Sequence, residues 1–246
     1  INGHFAHPPE PLPGHLDELM RTVPSEDADL GIAVDPDVDR LALVSEDGSW
    51  FGEEYTLVAA ADYILGQKKG AVVSNLSSTK ALKDLAEEYG VAYGASAVGE
   101  YHVVQKMKQM DAVIGGEGNG GVIFPELHYG RDALIGIALI LSHLAEQECS
   151  LSSLRSRYNE YSMAKDKLQL RNDMDVPSLL DQLSEKYSSE EQSTEDGLKI
   201  FLAEDNAWVH IRPSNTEPVL RIYAEAPEKT LAEQVTDRFK RELEAL

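Results

Sequence analysis

The sequence predicts an α/β protein with βαβ construction in its larger, first part and a smaller α+β domain at its end. Three observations predict it. Short apolar strands alternate with helical patterns from residue 29 to residue 146. The composition then shifts around residues 148–153. Beyond the shift, three strand-like runs at 198–202, 208–211 and 219–224 close on one long helical pattern at 229–244.

Taken in order, residues 4–15 are rich in His, Pro and Gly and read as an irregular approach, and a helix over 13–21 places Leu16, Leu19 and Met20 on one side. Strands follow at 29–34 and 41–44, with a turn at Glu46-Asp47-Gly48-Ser49. A helix spans 53–65, a strand 70–74, and an amphipathic helix 78–89 with Leu82, Leu85 and Ala86 inward. Next come a strand at 91–95, a helix at 99–110, a strand at 112–114 running into a loop at 115–121, and a helix at 132–146. Residues 151–161 read as helical, or as a helix leading into a crossover strand, and 178–187 as helical. Residues 188–197 form a polar, acidic loop. In the last helix Leu231, Val235, Phe239 and Leu243 recur at helical spacing.

The 246 residues carry 43 acidic and 22 basic side chains, a net charge of −21. A hydrophobic fraction of 42% supports real cores, which argues against global disorder. An acidic chain is also wrong for a general nucleic-acid binder. Cys149 is the only cysteine, so no intrachain disulfide or cysteine-based zinc cluster can form, and a reducing, cytoplasmic setting is expected. The richest apolar stretch, 133–144, is too short for a membrane span. The chain opens on Ile1-Asn2-Gly3 without a starting Met or a signal peptide, as a fragment would.

Three loops carry chemistry. In Asp35-Pro36-Asp37-Val38-Asp39-Arg40 three carboxylates alternate between two apolar strands. They converge if the chain curves, and repel unless a hard cation with oxygen ligands joins them; Mg²⁺ is the natural candidate, with Arg40 placed to meet a phosphoryl oxygen. A surface acidic loop competes, as does a phosphatase with Asp35 or Asp37 as nucleophile. Asp35, Asp37, Asp39 and Glu46 also fall at the spacing of EF-hand ligands, but Arg40 stands where that loop needs glycine and the flanks read as strands. In Gly115-Gly116-Glu117-Gly118-Asn119-Gly120-Gly121 the pair Glu117 and Asn119 suits vicinal sugar hydroxyls, and the glycines allow close approach; a flexible surface turn is the alternative. The spacing does not match a dinucleotide fingerprint. In Arg212-Pro213-Ser214-Asn215-Thr216-Glu217-Pro218 an arginine fork, three short donors and successive backbone N–H groups suit phosphate, with Arg221 just beyond; an ordinary polar turn competes.

Together and in this order, the three loops resemble those of the α-D-phosphohexomutases, the phosphoglucomutases, phosphomannomutases and phosphoglucosamine mutases. The resemblance implies four domains around a cleft. It assigns residues 1–51 to the end of the second domain, with the metal loop. Residues 52–153 become the third, with the sugar loop, and 154–246 the fourth, with the phosphate loop. The first domain of the polypeptide, with its catalytic serine, has no counterpart here, since no Ser-His-Asn-Pro run occurs. The chain alone is therefore expected to lack mutase activity. For the whole enzyme the resemblance implies reversible transfer of a phosphoryl group between C1 and C6 of a hexose phosphate, through phosphoserine and a hexose 1,6-bisphosphate. Asp35, Asp37 and Asp39 then hold Mg²⁺, and Arg40 supports the transferring group. Glu117 and Asn119 hold the sugar, joined by Arg131 beside the cleft. Arg212, Ser214, Asn215, Thr216 and Arg221 grip the other phosphate. Phosphoglucomutase or phosphomannomutase activity leads, with phosphoglucosamine mutase close behind; a non-catalytic sugar-phosphate binding module is the reading of another class. No membrane or nucleic-acid partner is implied, and the oligomeric state is open.

Some positions depart from the commonest family forms. Pro36 and Val38 stand where the metal loop often has Gly, or Gly or Ala. Glu100 stands where some members have histidine, so that role is vacant. His102 and His128 are each open between a cleft and a surface position.

Overall fold

The computed structural model describes residues 4, 8–171, 174–214 and 216–246. It divides into two compact units, residues 1–159 and 160–246.

The first unit opens with a 3-10 turn, Pro13–His15, and helix α1, Asp17–Ser25. The sequence pattern predicts one helix over this stretch; the structure breaks it at Leu16, whose backbone leaves helical geometry, and carries α1 on through Pro24 in its last turn. Strands β1 (Leu30–Val34) and β2 (Leu41–Ser45) pair antiparallel. Helix α2 (Glu53–Gln67) leads to β3 (Val72–Asn75), α3 (Ala81–Tyr89), β4 (Tyr93–Ser96), α4 (Glu100–Met110), β5 (Ile114–Glu117), β6 (Gly121–Ile123), α5 (Ala133–Gln147) and the short α6 (Leu151–Arg155).

The four-stranded sheet runs β4-β3-β5-β6, with β3 parallel to β4 and β5, and β6 antiparallel at the edge. Helix α4 sets Val103, Val104 and Met107 against Val73 and Ile123. Helix α2 is buried on nearly every side, from Tyr55 through Ala61 and again at Ile64 and Leu65. Such a helix belongs in the middle of a layer, and α2 packs on β2, β5, β6, α3 and α5.

The second unit is a five-stranded antiparallel sheet, order β7-β11-β10-β9-β8, from β7 (Ser162–Gln169), β8 (Glu191–Ser193), β9 (Leu198–Leu202), β10 (Ala207–Pro213) and β11 (Val219–Ala226). Helices α7 (Val176–Lys186) and α8 (Lys229–Ala245) bring Leu179, Leu183, Val235, Phe239 and Leu243 onto one core with Ile200, Val209, Ile211 and Ile222. Alternation along a strand sends Trp208, His210 and Arg212 to the opposite side of β10 from Val209 and Ile211.

Two expectations are corrected. The glycine segment is not one loop: β5 runs on through Glu117 and β6 opens at Gly121, so only residues 118–120 turn. The polar stretch 188–197 contains the edge strand β8, whose polar side chains carry no apolar alternation. Of the two readings of residues 151–161, the structure has the helix leading into a strand: α6 is five residues long, and the chain enters strand at Ser162.

Candidate active site

The metal loop joins β1 to β2 and folds around Asp35. Its Oδ1 accepts from the backbone N–H groups of Asp39 and Arg40, both at 3.0 Å, while Val38 N donates to Asp35 O at 3.1 Å. The turn puts Val38 at φ +60°, a left-handed conformation that a β-branched residue rarely adopts. This explains why a small residue suits the position. Val38 is held there partly because its carbonyl accepts from Ala133 N at 3.0 Å.

One carboxylate oxygen from each of Asp35, Asp37 and Asp39 lies within 4.8 Å of the others. Oxygen donors gathered so closely fit a small hard dication. Burial pushes the Asp35 carboxyl up, but the hydrogen bonds it accepts outweigh that and hold it below the usual range. Asp39 goes the other way: burial, then the neighbouring Asp35, raise it to about 6 against the pull of Arg131. Arg40 spans the loop, with Nη1 3.0 Å from Glu10 Oε1 and Nε 3.7 and 3.8 Å from Asp35 and Asp39. Its Nε is buried without an aligned acceptor, so those two contacts are charge proximity rather than hydrogen bonds.

The sugar loop is joined to this turn. Leu41 N donates to Gly120 O at 3.0 Å. Gly120 has φ +88° and lies so close to the Leu41 carbonyl that a side chain would collide with it. Gly118 faces the Glu54 carboxylate in the same way. Glu117 is buried, with Oε1 accepting from Asn75 Nδ2 at 2.8 Å and Gly99 N at 3.1 Å, and Oε2 2.8 Å from Arg131 Nη1. Asn119 uses Oδ1 to accept from Gly121 N at 3.1 Å. Arg131 reaches Asp39 through Nη2 and Glu100 Oε2 through Nε at 3.1 Å, so one guanidinium touches both loops and the start of α4. His128 pairs with Asp132 at 3.0 Å and is about half exposed.

The phosphate loop follows β10 in the second unit. The strand register sets Arg212 opposite Arg221, and Arg221 opposite Lys167. Like charges side by side on one sheet face repel, and an anion relieves the repulsion. Asp196 partly compensates: its Oδ2 lies 2.9 Å from Arg212 Nε, close in charge but out of line for a hydrogen bond. Ser214 Oγ is 3.4 Å from Thr216 Oγ1, and Ser214 N closes the turn onto Val219 O at 2.9 Å. Arg221 Nη1 reaches Tyr223 OH at 3.5 Å. Asn215 lies outside the described residues. His210 sits two residues before Arg212 on the same face of β10, its Nε2 2.6 Å from Asp196 O; burial pushes it down to about 4, so it is neutral at pH 7.

The sequence marks Glu100 by its place in the family pattern but not its contact with Arg131, and it does not mark Asn75, Asp196 or Lys167 as neighbours of these residues. Alternation at Lys165 and Lys167 was the available signal for a cationic strand face. Asn75 and Asp196 lie far in sequence from the groups they hold, and no local pattern marks them.

The first unit thus holds a carboxylate cluster suited to a dication with a polar loop bonded to it, and the second unit holds an arginine pair whose mutual repulsion an anion would relieve. Comparison with known proteins narrows the class. Residues 1–48, 52–161 and 166–242 match, in order, domains II, III and the C-terminal domain of phosphoglucomutase/phosphomannomutase. A probable phosphoglucosamine mutase of Methanopyrus kandleri is 35% identical over 97% of this chain and 53% of its own length. The phosphoglucomutase/phosphomannomutase of Thermococcus kodakarensis is 33% identical over 95% of this chain and 51% of its own. The crystal structure of a phosphoglucomutase/phosphomannomutase family protein from Burkholderia thailandensis superposes with a TM-score of 0.81 at 26% identity, covering 96% of this chain and 51% of that one. The chain belongs to the α-D-phosphohexomutase family. It spans about half the length of the relatives it matches.

Proposed function

We propose that this chain supplies the metal, sugar and distal phosphate sites of a mutase that moves a phosphoryl group between C1 and C6 of a hexose phosphate. The observation that carries the proposal is the convergence of Asp35, Asp37 and Asp39 within 4.8 Å, on a turn bonded directly to the loop of Glu117 and Asn119. Asp35, Asp37 and Asp39 would hold Mg²⁺, which when bound supplies electrostatic stabilisation to the transferring group. Arg40 offers its guanidinium to the same phosphoryl oxygens. Glu117, Asn119 and Arg131 orient the sugar. Arg212, Arg221, Ser214, Thr216 and Asn215 grip the phosphate that does not react, so that binding energy at one end positions the other. The phosphoryl carrier, a phosphoserine in the family resemblance, is not among these residues, and the isolated chain is expected to be inactive.

Phosphoglucomutase or phosphomannomutase activity is the first reading. Phosphoglucosamine mutase is the second, favoured by the names of several relatives, among them the Methanopyrus protein at 35% identity. Coupled assays of the protein from the complete open reading frame, on the 1-phosphates of glucose, mannose and glucosamine, decide. The first reading expects turnover highest on glucose or mannose. A preference of about tenfold or more for glucosamine, ~1.4 kcal/mol in the transition state, reverses the order. Turnover on none of the three removes the proposal.

A further inference from the structure

Glu100 opens helix α4, and both of its carboxylate oxygens turn to one residue. Oε2 accepts from Arg131 Nε at 3.1 Å and Oε1 from Arg131 N at 3.4 Å. Arg131 is largely withdrawn from solvent, with 14% of its side chain exposed. Its other edges are committed as well, Nη1 to Glu117 and Nη2 to Asp39. A guanidinium carries five N–H groups in one plane. Three are used by the three carboxylates, leaving one on each terminal nitrogen. Glu117 and Asp39 belong to different loops, and either could draw the group away from the other. Glu100 holds the third corner, at Nε, and pins the backbone as well. That fixes the plane of the guanidinium rather than one of its ends.

From this geometry we infer that Glu100 is the positioning residue of the sugar site. It acts through Arg131, holding the guanidinium so that its two uncommitted N–H groups meet a hexose hydroxyl while the same group ties the sugar loop to the metal loop. The inference rests on the proposed function for its ligand but not for its geometry. Glutamine at residue 100 leaves Nε only a neutral, weaker acceptor and a shorter side chain leaves it none, so that Arg131 can settle on Glu117 or Asp39 alone.

The test is a double-mutant cycle on the 246-residue chain, with glucose 1,6-bisphosphate as probe in Mg²⁺ buffer, read by calorimetry. Glu100→Gln is expected to weaken binding about tenfold, within the range of coupled neighbours. Arg131→Gln should weaken it at least as much, and the double variant should match Arg131→Gln within about twofold, because an effect carried wholly through Arg131 vanishes once Arg131 is gone. Unchanged affinity in Glu100→Gln, or losses that multiply in the double variant, overturns the inference. A second readout needs no ligand. In protein labelled with ¹⁵N-arginine, the Arg131 Nε–H should exchange slowly in the wild type and markedly faster in Glu100→Gln, with the remaining arginine signals unmoved. If the wild type binds no bisphosphate, the functional proposal fails and this signal alone decides: an unchanged Arg131 Nε–H in Glu100→Gln overturns the positioning role.

Discussion

Asp37→Asn is expected to lower Mg²⁺ affinity by more than about 100-fold, since the loss of groups merely supporting a metal ligand already costs 10–100-fold. Asp37 is the exposed member of the triad, while Asp35 is buried and holds the turn through two backbone hydrogen bonds. Changing Asp37 therefore tests the metal site without dismantling the loop, and the melting temperature of the metal-free protein should be unchanged. The site should also respond to pH. Asp39, raised to about 6, carries a proton below that pH which a dication must displace. Apparent affinity should fall by up to about tenfold for each pH unit below 6 and level off above it. Calorimetric Mg²⁺ titrations of both proteins between pH 5 and pH 8, values chosen to bracket that transition, measure both effects. Equal affinities, or a curve flat through pH 6, would sink the assignment.

Arg212→Ala is expected to weaken glucose 1,6-bisphosphate binding by about 100-fold, ~2.7 kcal/mol. Arg212 is 8% exposed, faces Arg221 across the register and leans on Asp196. Removing it takes away a desolvated phosphate partner and the guanidinium against which the Asp196 carboxylate lies. Arg212→Lys should recover only part of the loss, because an ammonium lacks the planar fork. Calorimetry with the bisphosphate separates this from an ordinary polar turn, which predicts no difference among the three proteins.

A global charge of −21, taken as a sum, argues against an anionic substrate. The cations, however, are not spread evenly over the chain. Cations are concentrated on one face of the second sheet, where Arg212, Arg221 and Lys167 fall side by side in register. In the first unit Arg40 and Arg131 sit among the acids of the two loops. Local fields follow such placement rather than the sum over the chain.

Which parts were legible in the sequence follows from the range of the forces involved. Amphipathic helices announce themselves, as Leu82, Leu85 and Ala86 did in α3. Short motifs did too, because each loop carries its own donors. Glycine strands do so only in part: Gly115 and Gly116 have no side chains to alternate, so the pattern ends the strand at Ile114 while β5 runs on to Glu117. β8 does not, being an edge strand of Glu191, Gln192 and Ser193 whose existence depends on pairing with β9. The largest gap was Arg131. Its motif position suggested a cleft residue, but its grip on Asp39, Glu100 and Glu117 joins residues up to 92 positions away in sequence. Only the folded first unit creates that contact.

The most direct test of the central claim is ³¹P NMR of the protein from the complete open reading frame, given glucose 1-phosphate, a trace of glucose 1,6-bisphosphate and Mg²⁺. The account predicts conversion to the 6-phosphate, stopped by a chelator and lost in Asp37→Asn. Conversion that persists in the chelator, or its absence with glucose, mannose and glucosamine phosphates alike, would contradict it.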